Sequence, residues 1–202
     1  VTTYYSTLDA AIWAVRYTTE ADNAIVKLLM DCEHVNIEGG VFTLNLAGNS
    51  LSTENTQSAV LDVVGGTVTV TGGTISGTRN AVEVVGGTLN ITEGTTITTT
   101  ENHTNSKTVK VRDGTLNISG GTITGPVKGV FVQDGTVNIT GGTIETQGNK
   151  ESGSVYIKGG TVNISGGSFI DKFALYMEGG TAYVTGGTFQ SSNRYALSML
   201  GG

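Results

Sequence analysis

"DGTVNITGGTI", residues 134–144, alternates apolar and polar side chains between two glycine turns. Val137 and Ile139 are apolar, and Thr136, Asn138 and Thr140 are polar. That period of two belongs to a β-strand with one buried face. The same shape returns as "GGTVTVTGGTI" (65–75), "GGTLNITEGTTI" (86–97), "DGTLNISGGTI" (113–123), "GGTVNISGGSF" (159–169) and "GGTAYVTGGTF" (179–189).

Working outward, the glycine before the Thr falls at 66, 87, 114, 135, 160 and 180, so the units are 20 to 27 residues apart. A second glycine follows seven residues after each. A leading run precedes each unit, with Val82 and Val84, Val109 and Val111, Val130 and Val132, Val155 and Ile157, Leu175 and Met177, and Leu197 and Met199. A shorter trailing run follows, carrying Ile75, Ile97, Ile123, Ile144, Phe169 or Phe189. Three short strands in about 21 residues make one coil of a parallel β-helix, a period typical of solenoids. Glycine serves the corners, where φ becomes positive. No coil can bury its apolar face alone, so the coils must stack into one continuous core. "TLNLAGNSL" (43–51) matches "TVTVTGGTI" (67–75), which carries the repeat back to Val35. The expectation is an all-β, right-handed, single-stranded parallel β-helix of about seven coils over 35–202.

Residues 1–34 differ and are expected to form an N-terminal cap. In "STLDAAIWAVRYTT", Ser6 stands three residues before Asp9 as a weak capping box, and Leu8, Ile12, Trp13 and Val15 can share a helical face. "NAIVKLLMD" reads as a buried strand. A helix over the open end would shield the core and strand edges. The C-terminal end shows no such cap and is expected to continue into further coils or to stack on a partner.

Composition narrows the function. The chain has 202 residues, 31 Gly, one Pro, one Cys and a net charge of −6, with no basic run. Clustered Lys and Arg for a nucleic-acid partner are missing. One cysteine gives neither a disulfide framework nor a Cys-based metal site, and no apolar run is long enough for membrane insertion by a helix.

The cap helix, the "AIVKLLMD" strand, "FTLNLAGNSLS" and the "GGTVNISGGTI"-type repeats together resemble the pectate-lyase-like right-handed parallel β-helix domains on surface proteins of Gram-positive anaerobes. Those domains often carry a run resembling L-D-L-N-G-x-x-L. It stands here as Leu44, Asn45, Leu46, Ala47, Gly48, Asn49, Ser50, Leu51, departing at Asn45 and Ala47. The resemblance implies an extracellular, cell-surface location. The wider fold group is similar to pectate lyases, polygalacturonases, phage tailspikes and carbohydrate-binding adhesins, so fold alone does not choose among them.

The outward positions carry the choice. The middle strands present constant Thr, Asn and Thr or Ser columns, which suit a soluble face with side-chain ladders. Flat Thr rows also raise ice binding, or a purely structural repeat. The four Asn-Ile-Thr/Ser triplets follow from the repeat. The leading strands vary instead. One outward column reads Asp62, Glu83, Lys110, Phe131, Tyr156, Tyr176, Ser198, and the other Val64, Val85, Arg112, Gln133, Lys158, Glu178, Leu200. Phe131, Tyr156 and Tyr176 are therefore expected to stack on three coils, facing solvent, walled by the insertions 98–107 and 146–153. Asn102, His103, Asn149 and Lys150 would lie toward the rim. Aromatic faces flanked by polar groups suit sugar rings.

The expected function is a non-catalytic module for glycan binding or adhesion, or a stalk that displays one. Its partner would be a polysaccharide or a host or cell-surface glycan, held by Phe131, Tyr156, Tyr176, Lys110, Arg112, Gln133, Lys158 and Glu178. Replacing the rings should leave stability nearly unchanged. The alternative is a polysaccharide lyase or glycoside hydrolase using the adjacent Asp62 and Glu83. No cofactor is expected; calcium at Asp62 and Glu83, or at Asp113 and Asp134, is the one option the residues leave open.

Overall fold

Corner glycines and in-register columns build the molecule. Gly135 has φ 81°, and a Cβ there would stand 2.6 Å from the Gly114 carbonyl oxygen of the coil before. Only glycine combines that dihedral with so close an approach. Each corner therefore returns the chain to the same place, one coil further on. A computed structural model describes residues 2–147, 152–191 and 196–200. Within them the chain is an all-parallel, three-sheet β-solenoid of about eight turns.

The leading sheet has eight strands, from Val35–Ile37 to Leu197–Met199. The middle sheet has eight, from Ala24–Lys27 to Thr181–Val184, and the trailing sheet seven, from Ser50–Thr53 to Thr188–Ser191. Equivalent residues pair without slippage: Val82, Val109, Val130, Val155 and Leu175 form one inward column. A slip of one residue would turn every apolar side chain outward, which is why the register holds. The trailing column ends with Phe169 stacked on Phe189, ring centroids 4.7 Å apart.

One departure from strict alternation recurs at the start of five successive leading strands. Ala81 and Val82, Thr108 and Val109, Gly129 and Val130, Ser154 and Val155, and Ala174 and Leu175 are consecutive and all buried. The first member of each pair is small, and it fills the inside of the corner. In the best-paired case, the Thr99 and Thr108 hydroxyls meet at 2.9 Å inside it. Two consecutive inward residues leave the positions on either side, such as Lys107 and Lys110, both on the outer face.

The N-terminal helix Leu8–Val15 forms as expected but starts one residue later than the Ser6 reading, with Thr7 Oγ1 accepting the Ala10 N–H at 3.2 Å. Ile12 is buried, with Leu8, Ala11 and Val15 packed beside it. Trp13 is not on that face and is 64% exposed; successive helical residues point about 100° apart. The Arg16 guanidinium instead lies 4.6 Å from both the Trp13 and Tyr17 ring centroids. Strand Ala24–Lys27 pairs in parallel with Val41–Asn45. The segment read as part of the cap is thus itself the first rung of the middle sheet, which explains about eight turns in place of seven. In the last turn the inward residues Val184, Leu197 and Met199 are 43%, 48% and 70% exposed.

Candidate functional site

Two of the three outer faces are nearly uniform. On the middle sheet Asn90 donates to Thr69 Oγ1 at 3.1 Å, Asn117 to Asn90 at 2.7 Å, Asn138 to Asn117 at 2.8 Å, and Asn163 to Asn138 at 2.8 Å. This ladder uses the amide nitrogens of all four Asn-Ile-Thr/Ser triplets. Beside it, Thr92, Ser119, Thr140 and Thr185 hydroxyls donate to carbonyls of the preceding coil. The trailing sheet likewise presents mainly Thr and Ser.

The outer face of the leading sheet gathers the varied chemistry. Phe131, Tyr156 and Tyr176 are in register on successive strands. Their rings adjoin as the sequence implies: Tyr156 and Tyr176 stack with centroids 4.7 Å apart, and Phe131 tilts against Tyr156 at 5.5 Å. Phe173, which sequence reasoning missed, tilts against Tyr176 at 5.8 Å. The rings are not an open platform, however. Phe131 is only 8% and Tyr156 9% exposed, and Tyr176 is half-buried. The expected solvent-facing strip is corrected accordingly.

Lysines and the first insertion account for the cover. Lys107 Nζ sits 5.3 Å from the Phe131 centroid and donates to the Asn105 carbonyl at 2.8 Å. Lys128 Nζ sits 5.0 Å from the Tyr156 centroid and donates to the Thr104 carbonyl at 2.9 Å. Their stems carry apolar contact over the rings while the ammonium groups reach the insertion. The insertion is pinned by a two-point ion pair, Arg79 Nε–Glu101 Oε2 at 2.8 Å and Arg79–Glu101 Oε1 at 2.9 Å. That pair holds the Glu101 carboxyl below its usual range. Ser106 Oγ closes on the Glu101 carbonyl at 2.7 Å, and His103 Nδ1 accepts the Asn105 N–H at 3.1 Å. Asn102 is exposed near this rim; Asn149 and Lys150 lie outside the described residues. On the far side the Tyr156 hydroxyl donates to Glu178.

Next to the rings, Arg112, Gln133, Lys158 and Glu178 form an exposed polar row on consecutive coils, about 4.8 Å apart. Not all the proposed donors are free. Lys110 Nζ lies 3.0 Å and Arg112 3.5 Å from Glu83 Oε1. Asp62, in register beside Glu83, meets His34 Nε2 at 3.1 Å. The two acids are thus adjacent, but each is engaged by its own base. Asp113 and Asp134 each accept the N–H of the following glycine at 2.8 Å, as turn formers do. Among the described residues, no three or more His, Cys, Asp or Glu side chains gather as a metal site, and no helix is long and apolar enough to cross a membrane.

A cavity of about 700 Å³ lies at the other end, between the N-terminal segment and strand Ala24–Lys27, lined by Tyr5, Leu8, Ala11, Ile25, Leu28 and Met30 among others. Its lining mixes these apolar side chains with Thr2, Thr3, Ser6, Thr7, Asn23 and Lys27; the leading sheet, with its stacked rings and exposed polar row, carries the candidate site. No family model, no curated protein and no solved structure matches the chain.

Proposed function

We propose that the chain is a non-catalytic β-solenoid module that binds a glycan along the outer face of its leading sheet, within an extracellular or cell-surface protein of the pectate-lyase-like kind its repeats resemble. One observation carries this reading. Aromatic rings stacked through consecutive coils run beside the exposed row Arg112, Gln133, Lys158 and Glu178, while the other two faces repeat Thr, Ser and Asn. Because lysine stems close over Phe131 and Tyr156, those rings act as a stiff floor. Direct ligand contact falls on Tyr176, Phe173 and the polar row. Contact along one edge of a sheet buries only part of a ligand, so affinity is expected in the micromolar range or weaker, roughly −8 kcal/mol at most.

A glycan array on the intact chain tests the proposal, followed by Tyr176→Ala and by Gln133→Ala with Lys158→Ala. Loss of binding by variants that still unfold cooperatively from a folded state supports it; normal binding by both variants refutes the site. The adjacency of Asp62 and Glu83 keeps a hydrolase or lyase reading in view. Release of reducing ends or unsaturated products from uronans, abolished by Asp62→Asn or Glu83→Gln, would replace binding with catalysis.

A further inference from the structure

The first strand of the middle sheet has one open edge. Ala24–Lys27 pairs with Val41–Asn45 on one side and ends the sheet on the other. The Leu28 N–H donates to the Asn45 carbonyl at 2.9 Å. In a sheet ladder, alternate residues turn their backbone groups to opposite neighbours. Ala24, Val26 and Leu28 therefore face Val41–Asn45, and Ile25 and Lys27 present N–H and C=O to the free edge. Among the described residues no backbone hydrogen bond to the N-terminal segment takes them up.

That strand borders the cavity of about 700 Å³, whose opposite wall, residues 2–7, belongs to no regular element. A strand residue fills about 160 Å³, from a rise of about 3.3 Å, a strand spacing of about 4.8 Å and a layer spacing of about 10 Å. The cavity thus has room for about four strand residues, the length of Ala24–Lys27. Its lining is suited to such a strand. Tyr4, Tyr5, Ile25, Leu29 and Met30 are large, exposed apolar side chains along it. Lys27 is the one charged residue in the lining, and it forms no ion pair among the described residues. The helix Leu8–Val15, packed on Val35–Ile37 and Ala24–Lys27, stands in the way of a second solenoid end. A single extended segment needs only the slot.

We propose that this slot takes a short extended segment of a partner protein, apolar with one carboxylate, which pairs with the free edge of Ala24–Lys27. The partner's backbone supplies what the N–H and C=O groups of Ile25 and Lys27 lack. Its apolar side chains cover Ile25, Leu29 and Met30, and its Asp or Glu meets Lys27. Strand addition of this kind draws affinity from main-chain hydrogen bonds and selectivity from side chains. The inference is independent of the glycan reading, which concerns another face.

The test uses the intact chain and a fluorescent library of acetylated hexapeptides drawn from Val, Ile, Leu, Tyr and Thr, each with one central Glu, Gln or Lys. Anisotropy is expected to find Glu peptides that bind about tenfold more tightly than their Lys counterparts. Methylating one alternate set of backbone nitrogens in the best binder should abolish binding, and methylating the other set should spare it. These peptides need no variant to fold. Lys27→Gln should remove the preference for Glu over Gln. Lys27→Pro deletes one free N–H on an edge, where proline is tolerated, and should abolish binding. Val184→Lys, in the exposed last turn at the opposite end, should leave it unchanged. An empty library screen, equal tolerance of both methylation patterns, or loss of binding with Val184→Lys alone overturns the proposal. Self-association of the chain that these peptides displace would make a second copy the occupant, and overturns it as well.

Discussion

The Tyr156 and Tyr176 rings stack with centroids 4.7 Å apart, one turn of the solenoid, and the Tyr156 hydroxyl donates to Glu178, on the turn that carries Tyr176. The stack is therefore a packing element as well as a surface. Tyr156→Ala should cost about 3 kcal/mol in urea unfolding, as for a buried aromatic. Tyr176→Ala, at a half-buried ring, should cost no more than about half of that. Equal, negligible losses for both would return the rings to the open platform that the alternation alone implies.

Two glycines separate dihedral strain from steric contact. Gly48 has φ 84° with nothing within 4 Å of a built Cβ, whereas Gly135 has φ 81° with the Gly114 carbonyl oxygen 2.6 Å away. Gly48→Ala should cost about 1 kcal/mol, the penalty of a left-handed non-glycine residue. Gly135→Ala should cost clearly more, because the preceding coil must also shift. Thermal unfolding of the two variants side by side decides it, and equal midpoints would show that the coil spacing can relax.

How much of this was legible in the sequence depends on what periodicity encodes. Val130 and Val155 recur at one place in every coil, so the inward columns, the parallel pairing and the outward direction of Phe131 all follow from the repeat. Depth does not follow. Phe131 is covered by Lys107, at the end of an insertion that interrupts the repeat, and side-chain reach between coils leaves no periodic trace. The His34–Asp62 and Arg79–Glu101 pairs join residues 28 and 22 apart through coil stacking. They become visible only once the register at the solenoid's first turns is fixed. Trp13 was misplaced for a different reason: an eight-residue helix supplies too few turns to define its apolar face.

The asparagine ladder makes a graded prediction. Asn138 accepts from Asn163 and donates to Asn117, both at 2.8 Å. Asn138→Ala breaks both links on a half-exposed face where water can replace them in part, so about 1 kcal/mol is expected. Asn138→Thr should lose less, since Thr69 already serves as an acceptor at the equivalent place. If alanine and threonine prove equally harmless by denaturant titration, the ladder is decorative.

Asp171 supplies a pH dependence. It is 4% exposed, inside the corner after its trailing strand. Its Oδ1 accepts from Ser152 Oγ at 3.0 Å and from the Lys172 N–H, while Oδ2 has no hydrogen-bond partner. The Thr146 hydroxyl lies beside the carboxylate without closing a hydrogen bond of good geometry. Burial raises the Asp171 pKa above its ordinary 3.8, and the favourable contacts with Thr146, Lys172 and Ser152 do not outweigh it. The fold thus favours the protonated acid. The stability from this preference is fully present below about pH 3.8, the unfolded value, and is lost as the pH rises through the folded value. Asp171→Asn keeps an acceptor for Ser152 and Lys172 and places an N–H where Oδ2 stands, within reach of Thr146. At pH 7 the variant should be at least as stable as the parent, by up to about 1 kcal/mol, the low end of the cost of an unpaired buried acceptor. The difference should vanish as the pH falls toward 3.8. Melting curves for parent and variant across that range test the sign directly. A variant less stable than the parent at pH 7 and equal to it in acid would mean that the ionised carboxylate, held by those same donors, is the form the corner prefers.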